Sequence, residues 1–137
     1  MVKTSQAPHE GVFRFLAQNQ WYQADRIYFG HVGDQWDLAG ITGEGSRQHG
    51  VYFTFHGAGN GAYPVSEIHV RWLTGGHHVL AEDGQLTVNL TPEGVGAGTF
   101  HFSVPNLSGE VQGDFNLGGP SVAVLPLTQD VRRLFEG

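Results

Sequence analysis

Cysteine is missing from all 137 residues, which excludes disulfides, thiol nucleophiles and cysteine-ligated zinc. Cations are few and scattered: seven Lys and Arg stand against thirteen Asp and Glu, a formal charge of −6. A phosphate backbone or an anionic lipid surface needs clustered positive charge, so neither nucleic acid nor a membrane surface is an expected partner. No apolar run approaches the roughly 18 residues of a membrane-spanning helix. The residues before Gly11 lack the apolar centre of a signal peptide. The absence of cysteine suits a reducing cytoplasm, and exported proteins without cysteine are also common. Signatures of nucleophilic catalysis are lacking too, since no Gly-x-Ser-x-Gly elbow occurs. The Gly57–Gly61 run leads into Ala62-Tyr63-Pro64 and not into the Lys-Ser/Thr of a phosphate-binding loop, so it reads as a plain loop.

What is present is glycine, aromatics and alternation. There are 21 glycines and only 15 % charged residues, a balance that favours turns and sheet over long solvated helices. The length is that of one domain with enough chain to bury a core. Residues 1–10 read as a loose lead-in and 11–137 as a single β-domain. Candidate strands fall at 12–17, 22–29, 36–42, 51–56, 67–73, 85–90, 98–104, 111–117 and 122–125. Val51, Phe53 and Phe55 alternate with Tyr52, Thr54 and His56, and Phe100, Phe102 and Val104 with Thr99, His101 and Ser103. A period of two marks strands with one buried face, as antiparallel sheets allow.

The breaks carry turn chemistry. Asp83-Gly84 predicts a hairpin, and the short connections argue against parallel pairing. Gly98 and Gly113 interrupt strand patterns and predict sharp coiling or close backbone approach. The tail alone reads as helix, with Thr128 as cap, Asp130 in the first turn and Arg132 and Arg133 toward the end. Val131, Leu134 and Phe135 are placed to plug one end of the assembly. The expected class is therefore all-β: an antiparallel barrel-like or strongly curved sandwich of about eight or nine strands with a short C-terminal helix.

The runs "GQLTVNLTP", "GVGAGTFHFSV" and "GEVQGDFNL", with "GNGAYPV" upstream, resemble the closing strands of small bacterial all-β domains that carry no assigned function. The resemblance implies a similar architecture and brings no catalytic residue with it.

Candidate chemistry centres on histidine, of which there are eight; full protonation would carry the charge from −6 to +2. His56, His69 and His101 lie on the polar sides of their strands. Convergent, they would form a three-histidine site for a divalent metal. His77 and His78 are adjacent and point to opposite faces. The commoner role for such residues is solvent-facing. Asp34 and Asp37 flank Trp36 in a predicted turn, and Glu82 and Asp83 sit in another, where carboxylates serve local backbone bonds. The stock of Trp21, Trp36, Trp72 and four tyrosines can fill a core or, exposed, stack a sugar ring.

The first expectation is a non-enzymatic domain binding a small molecule or a protein partner through Tyr52, His56, His69, Arg71, Trp72 and His101, with no cofactor. The first alternative is a barrel enzyme of the isomerase, cyclase or hydrolase type. It would use His56, His69 and His101 with Asp114 and, where metal-dependent, a divalent ion. The second alternative is an assembly module pairing through exposed strand edges.

Overall fold

The computed structural model describes residues 10–118 and 122–135; the predicted lead-in falls almost wholly outside them. The chain forms β1 (Glu10–Ala17), β2 (Gln20–Gln23), β3 (Arg26–Val32), β4 (Gln35–Thr42), β5 (His49–His56), β6 (Asn60–Pro64), β7 (His69–Thr74), β8 (His77–Leu80), β9 (Asp83–Leu90), β10 (Gly96–Ser103), β11 (Val111–Leu117), β12 (Val122–Pro126) and a helix, α1 (Gln129–Arg133). The strands form one curled sheet in the order β6-β9-β10-β11-β1-β12-β3-β4-β5-β7-β8, with β2 also paired to β1. The result is a half-barrel whose two flanks face each other across the core. Among the described residues no helix is long and apolar enough to cross a membrane.

The inner face is aromatic because alternate positions are. Phe13 stacks on Phe115 with ring centroids 5.6 Å apart, and Phe53 meets Phe100 edge-on at 5.0 Å. Each buried ring contributes about 1.5–3 kcal/mol of transfer free energy. Glycine makes room for them. A Cβ at Gly98 would lie 2.5 Å from the Phe115 ring and one at Gly113 2.7 Å from the Phe100 ring, so both positions answer the expected close approach.

Four expectations need correction. Among the described residues twelve strands form instead of eight or nine. The span 22–29 is broken at Ala24-Asp25 into β2 and β3, while β6 and β8 lie outside the predicted strands. Asp83 and Gly84 make no hairpin: they begin β9, and the chain has crossed from β8 at one edge of the sheet to the other flank. Among the described residues one pair is parallel, β12 with β3, reached through the long excursion between them and not through a crossover helix. Finally, α1 does not plug an end. Val131 and Phe135 pack on the outer face of β4, β5 and β7 against Ala39, Ile41, Tyr52 and Leu73. That face is apolar at these positions, so it needs a cover, and the short amphipathic helix supplies it. The predicted cap is present: the Thr128 side chain accepts from the Val131 N–H at 3.3 Å.

Candidate functional site

The outer face divides into two regions. Beneath α1, the carboxylate of Asp37, 5 % exposed, accepts from Thr54 Oγ1 at 2.7 Å, Tyr52 Oη at 3.0 Å, Gln35 Nε2 at 3.1 Å and Arg132 Nη2 at 3.3 Å. Asp37 is thus a mid-strand residue and not part of a turn. A buried carboxylate is tolerable because its lone pairs are filled and a cation faces it. Burial pushes the Tyr52 phenol up to about 12, and the Asp37 charge adds to the effect. This cluster is closed and fully partnered; it fastens the helix.

Beside it on β7, Arg71 Nε donates to His69 Nε2 at 2.8 Å, and Nη1 lies 3.0 Å from His78 Nδ1. A guanidinium can only donate, so the imidazole nitrogens in these two contacts act as acceptors. Trp72 points the other way, into the core, where it meets Phe15 edge-on at 5.6 Å. His56 sits at the end of β5 with Nδ1 3.3 Å from Asp34.

The second region lies on the opposite flank. Register places Gln85, His101, Gln112, Leu16 and Trp21 in one row across β9, β10, β11, β1 and β2. The neighbouring row holds Thr87, Thr99, Asp114, Arg14 and Gln23. The β1–β2 hairpin turns on Gln18 and Asn19 alone, at φ +51° and +66°. Two successive positive φ values give the turn a twist that matches its strands and fix the pose of Trp21. Trp21 is 55 % exposed, and the Arg14 guanidinium lies 5.2 Å from its ring centroid. Arg14 is held in turn by both Asp114 oxygens, Nε at 3.0 Å and Nη2 at 3.2 Å; this pairing raises its pKa. A depression of about 460 Å³ runs beside Trp21, lined by Thr99, His101, Glu110, Gln112 and Asp114, with Phe100 and Gly113 in its lining too. A second, about 670 Å³, continues from Glu110 and Gln112 to Gln18, Asn19 and Ser108. The shared residues make them one open groove.

The six residues expected to bind therefore do not form one site. Tyr52, His69 and Arg71 share the outer face near α1, with Tyr52 and Arg71 directly paired across β5 and β7. His101 lies in the groove, its Nδ1 3.3 Å from Glu110. His56 and His69 are separated from His101 by β11, β1, β12, β3 and β4. Among the described residues no cluster of three or more His, Asp or Glu side chains is arranged to hold a metal. Sequence reasoning missed Glu110, Gln112, Gln18 and Asn19. Strand alternation puts Thr99 and His101 on the polar side, but the groove depends on β2, which the predicted strand 22–29 merges with β3.

No family model, curated protein or solved structure matches the chain.

Proposed function

We propose that this chain is a non-enzymatic binding domain that takes a small polar ligand into the groove along β10, β11, β1 and β2. The observation that carries this reading is Trp21: a large aromatic more than half exposed, 55 %, set by a two-residue turn and braced by the Arg14–Asp114 pair. Burying that ring in the core or against a neighbouring strand would gain ~2 kcal/mol or more, yet the fold spends rigid structure on holding it out. An exposed tryptophan supplies a flat apolar face, and the polar groups beside it can fix a ligand's orientation. His101, on the floor of the groove, is the one residue retained from the set expected from sequence. The reading needs no cofactor.

A thermal-shift panel of sugars, nucleosides, amino acids, dicarboxylic acids and short peptides tests it. Ligands that bind the native state raise the melting temperature in proportion to ln(1 + [L]/Kd). The expected result is at least one compound that stabilises the native chain and not the Trp21→Ala variant. Equal stabilisation of both chains by every compound that acts would overturn the placement.

A further inference from the structure

Resting on that binding reading, we infer that the ligand is a neutral carbohydrate chain, lying along the groove with one sugar ring against Trp21. Charge gives the first argument. Among the described residues the one Lys or Arg at the groove, Arg14, is occupied by both oxygens of Asp114, and the remaining carboxylate, Glu110, faces His101. Among the described residues no Lys or Arg is left there to receive a phosphate, sulfate or carboxylate, and two acidic side chains line the same depression. An anionic ligand would meet like charge; a strongly cationic one would find Asp114 already neutralised. A neutral ligand fits.

The kinds of polar group give the second argument. Glu110 and Asp114 only accept, Gln112 and Asn19 both donate and accept, and Thr99 offers a hydroxyl that does either. A ligand complementary to that set must carry many hydroxyls, since a hydroxyl serves as donor to the carboxylates and as acceptor from the amides. Beside these groups stands one flat apolar surface, the Trp21 indole. A pyranose ring has this same division, with hydroxyls around its rim and an apolar C–H face suited to stacking on an aromatic.

Shape gives the third. The two depressions join through Glu110 and Gln112 into an open trough, not a closed pocket. An open trough across adjacent strands, spaced about 4.8 Å apart, suits several linked rings passing over the surface better than one enclosed monosaccharide. Gln18 and Asn19 close its far end in left-handed backbone conformations.

An array of neutral and acidic oligosaccharides, followed by calorimetric titration of the strongest neutral binder, tests the inference. Binding to neutral chains of several sugars is expected, with affinity growing with chain length. Trp21→Ala is expected to weaken it about tenfold or more, as for an aromatic at the centre of an interface. Gln112→Ala is expected to weaken it severalfold, and it supplies the same readout should the tryptophan variant fail to fold. Three results would overturn the inference. Absence of binding to any neutral oligosaccharide at millimolar concentration is one, and binding confined to acidic glycans is another. If in either case a different compound stabilises the protein through Trp21, the groove stands as a binding site and the carbohydrate class alone falls. The third is a neutral glycan bound equally by the native chain and both variants, which removes the groove along with its occupant.

Discussion

Arg132, in the last turn of α1, reaches the carboxylate of Asp37 in the middle of β4 at 3.3 Å. This is the one ion pair that ties the C-terminal helix to the sheet among the described residues. It sits over a network in which Tyr52, Thr54 and Gln35 also donate to Asp37. Removing the carboxylate by Asp37→Ala strands four donors at once. A loss of ~3–5 kcal/mol is expected, the range for breaking a buried ion pair from one side, and urea denaturation measures it. Asp37→Asn keeps the shape and part of the acceptor capacity, so its cost is expected to be smaller. The Tyr52 phenol, pushed to about 12, is expected to be the last tyrosine of the folded chain to form tyrosinate in a spectrophotometric titration. An ordinary titration of all four tyrosines would contradict the closed network.

His49 makes stability depend on pH in a stated direction. Its ring lies 4.4 Å from Tyr22 and 5.9 Å from Trp72, centroid to centroid, and burial lowers its pKa below the ordinary 6.5. In the window between that lowered value and 6.5 the unfolded chain holds a proton that the folded chain does not. Stability from this residue is therefore full above 6.5 and falls as pH drops through that window. Below the folded pKa it falls no further. The stability–pH slope in this range is expected to flatten in His49→Gln; an unchanged slope would mean the burial of His49 is not felt as charge.

Gln18 joins turn geometry to the groove. A residue with a side chain in the left-handed region costs about 1–2 kcal/mol, and glycine relieves this while adding about 0.5–1 kcal/mol of unfolded-state entropy. Gln18→Gly, at φ +51°, is thus expected to raise stability by up to about 1 kcal/mol while weakening ligand binding. A variant both less stable and equally competent to bind would contradict the role given to this turn.

Class and alternation were legible because one face of nearly every strand is apolar: Phe13 and Phe15, Phe53 and Phe55, Phe100 and Phe102 each skip a residue. The C-terminal helix was legible from its N-cap, Thr128, and its charge pattern. What was hidden is what depends on pairing across distance. Asn60–Pro64 and His77–Leu80 are short edge strands whose burial is weak, so they leave little periodicity to read. Ala24-Asp25 breaks a run that looks continuous because Asp25 bonds to Arg26 and Gly43, partners visible only once β4 is in place. Asp37 looked like a turn residue since its polar neighbours sit on β5 and α1. The histidines looked convergent because sequence gives the face of a strand and not its position in the sheet order. The groove was partly legible, in Thr99 and His101, and the placement of Trp21 and Gln112 beside them required the register of β1 with β2 and β11.

The most direct test of the central claim uses the three tryptophans as reporters. Trp36 and Trp72 are 2 % and 3 % exposed and Trp21 is 55 %, so their indole N–H signals in a nitrogen-15 correlation spectrum report two buried sites and the groove. Titration with the strongest compound from the ligand panel is expected to shift the Trp21 indole signal, with the amides of His101 and Gln112, and to leave the Trp72 indole in place. A shift confined to residues around Arg71 and His78, with Trp21 unmoved, would contradict the account and relocate binding to the face beside the helix.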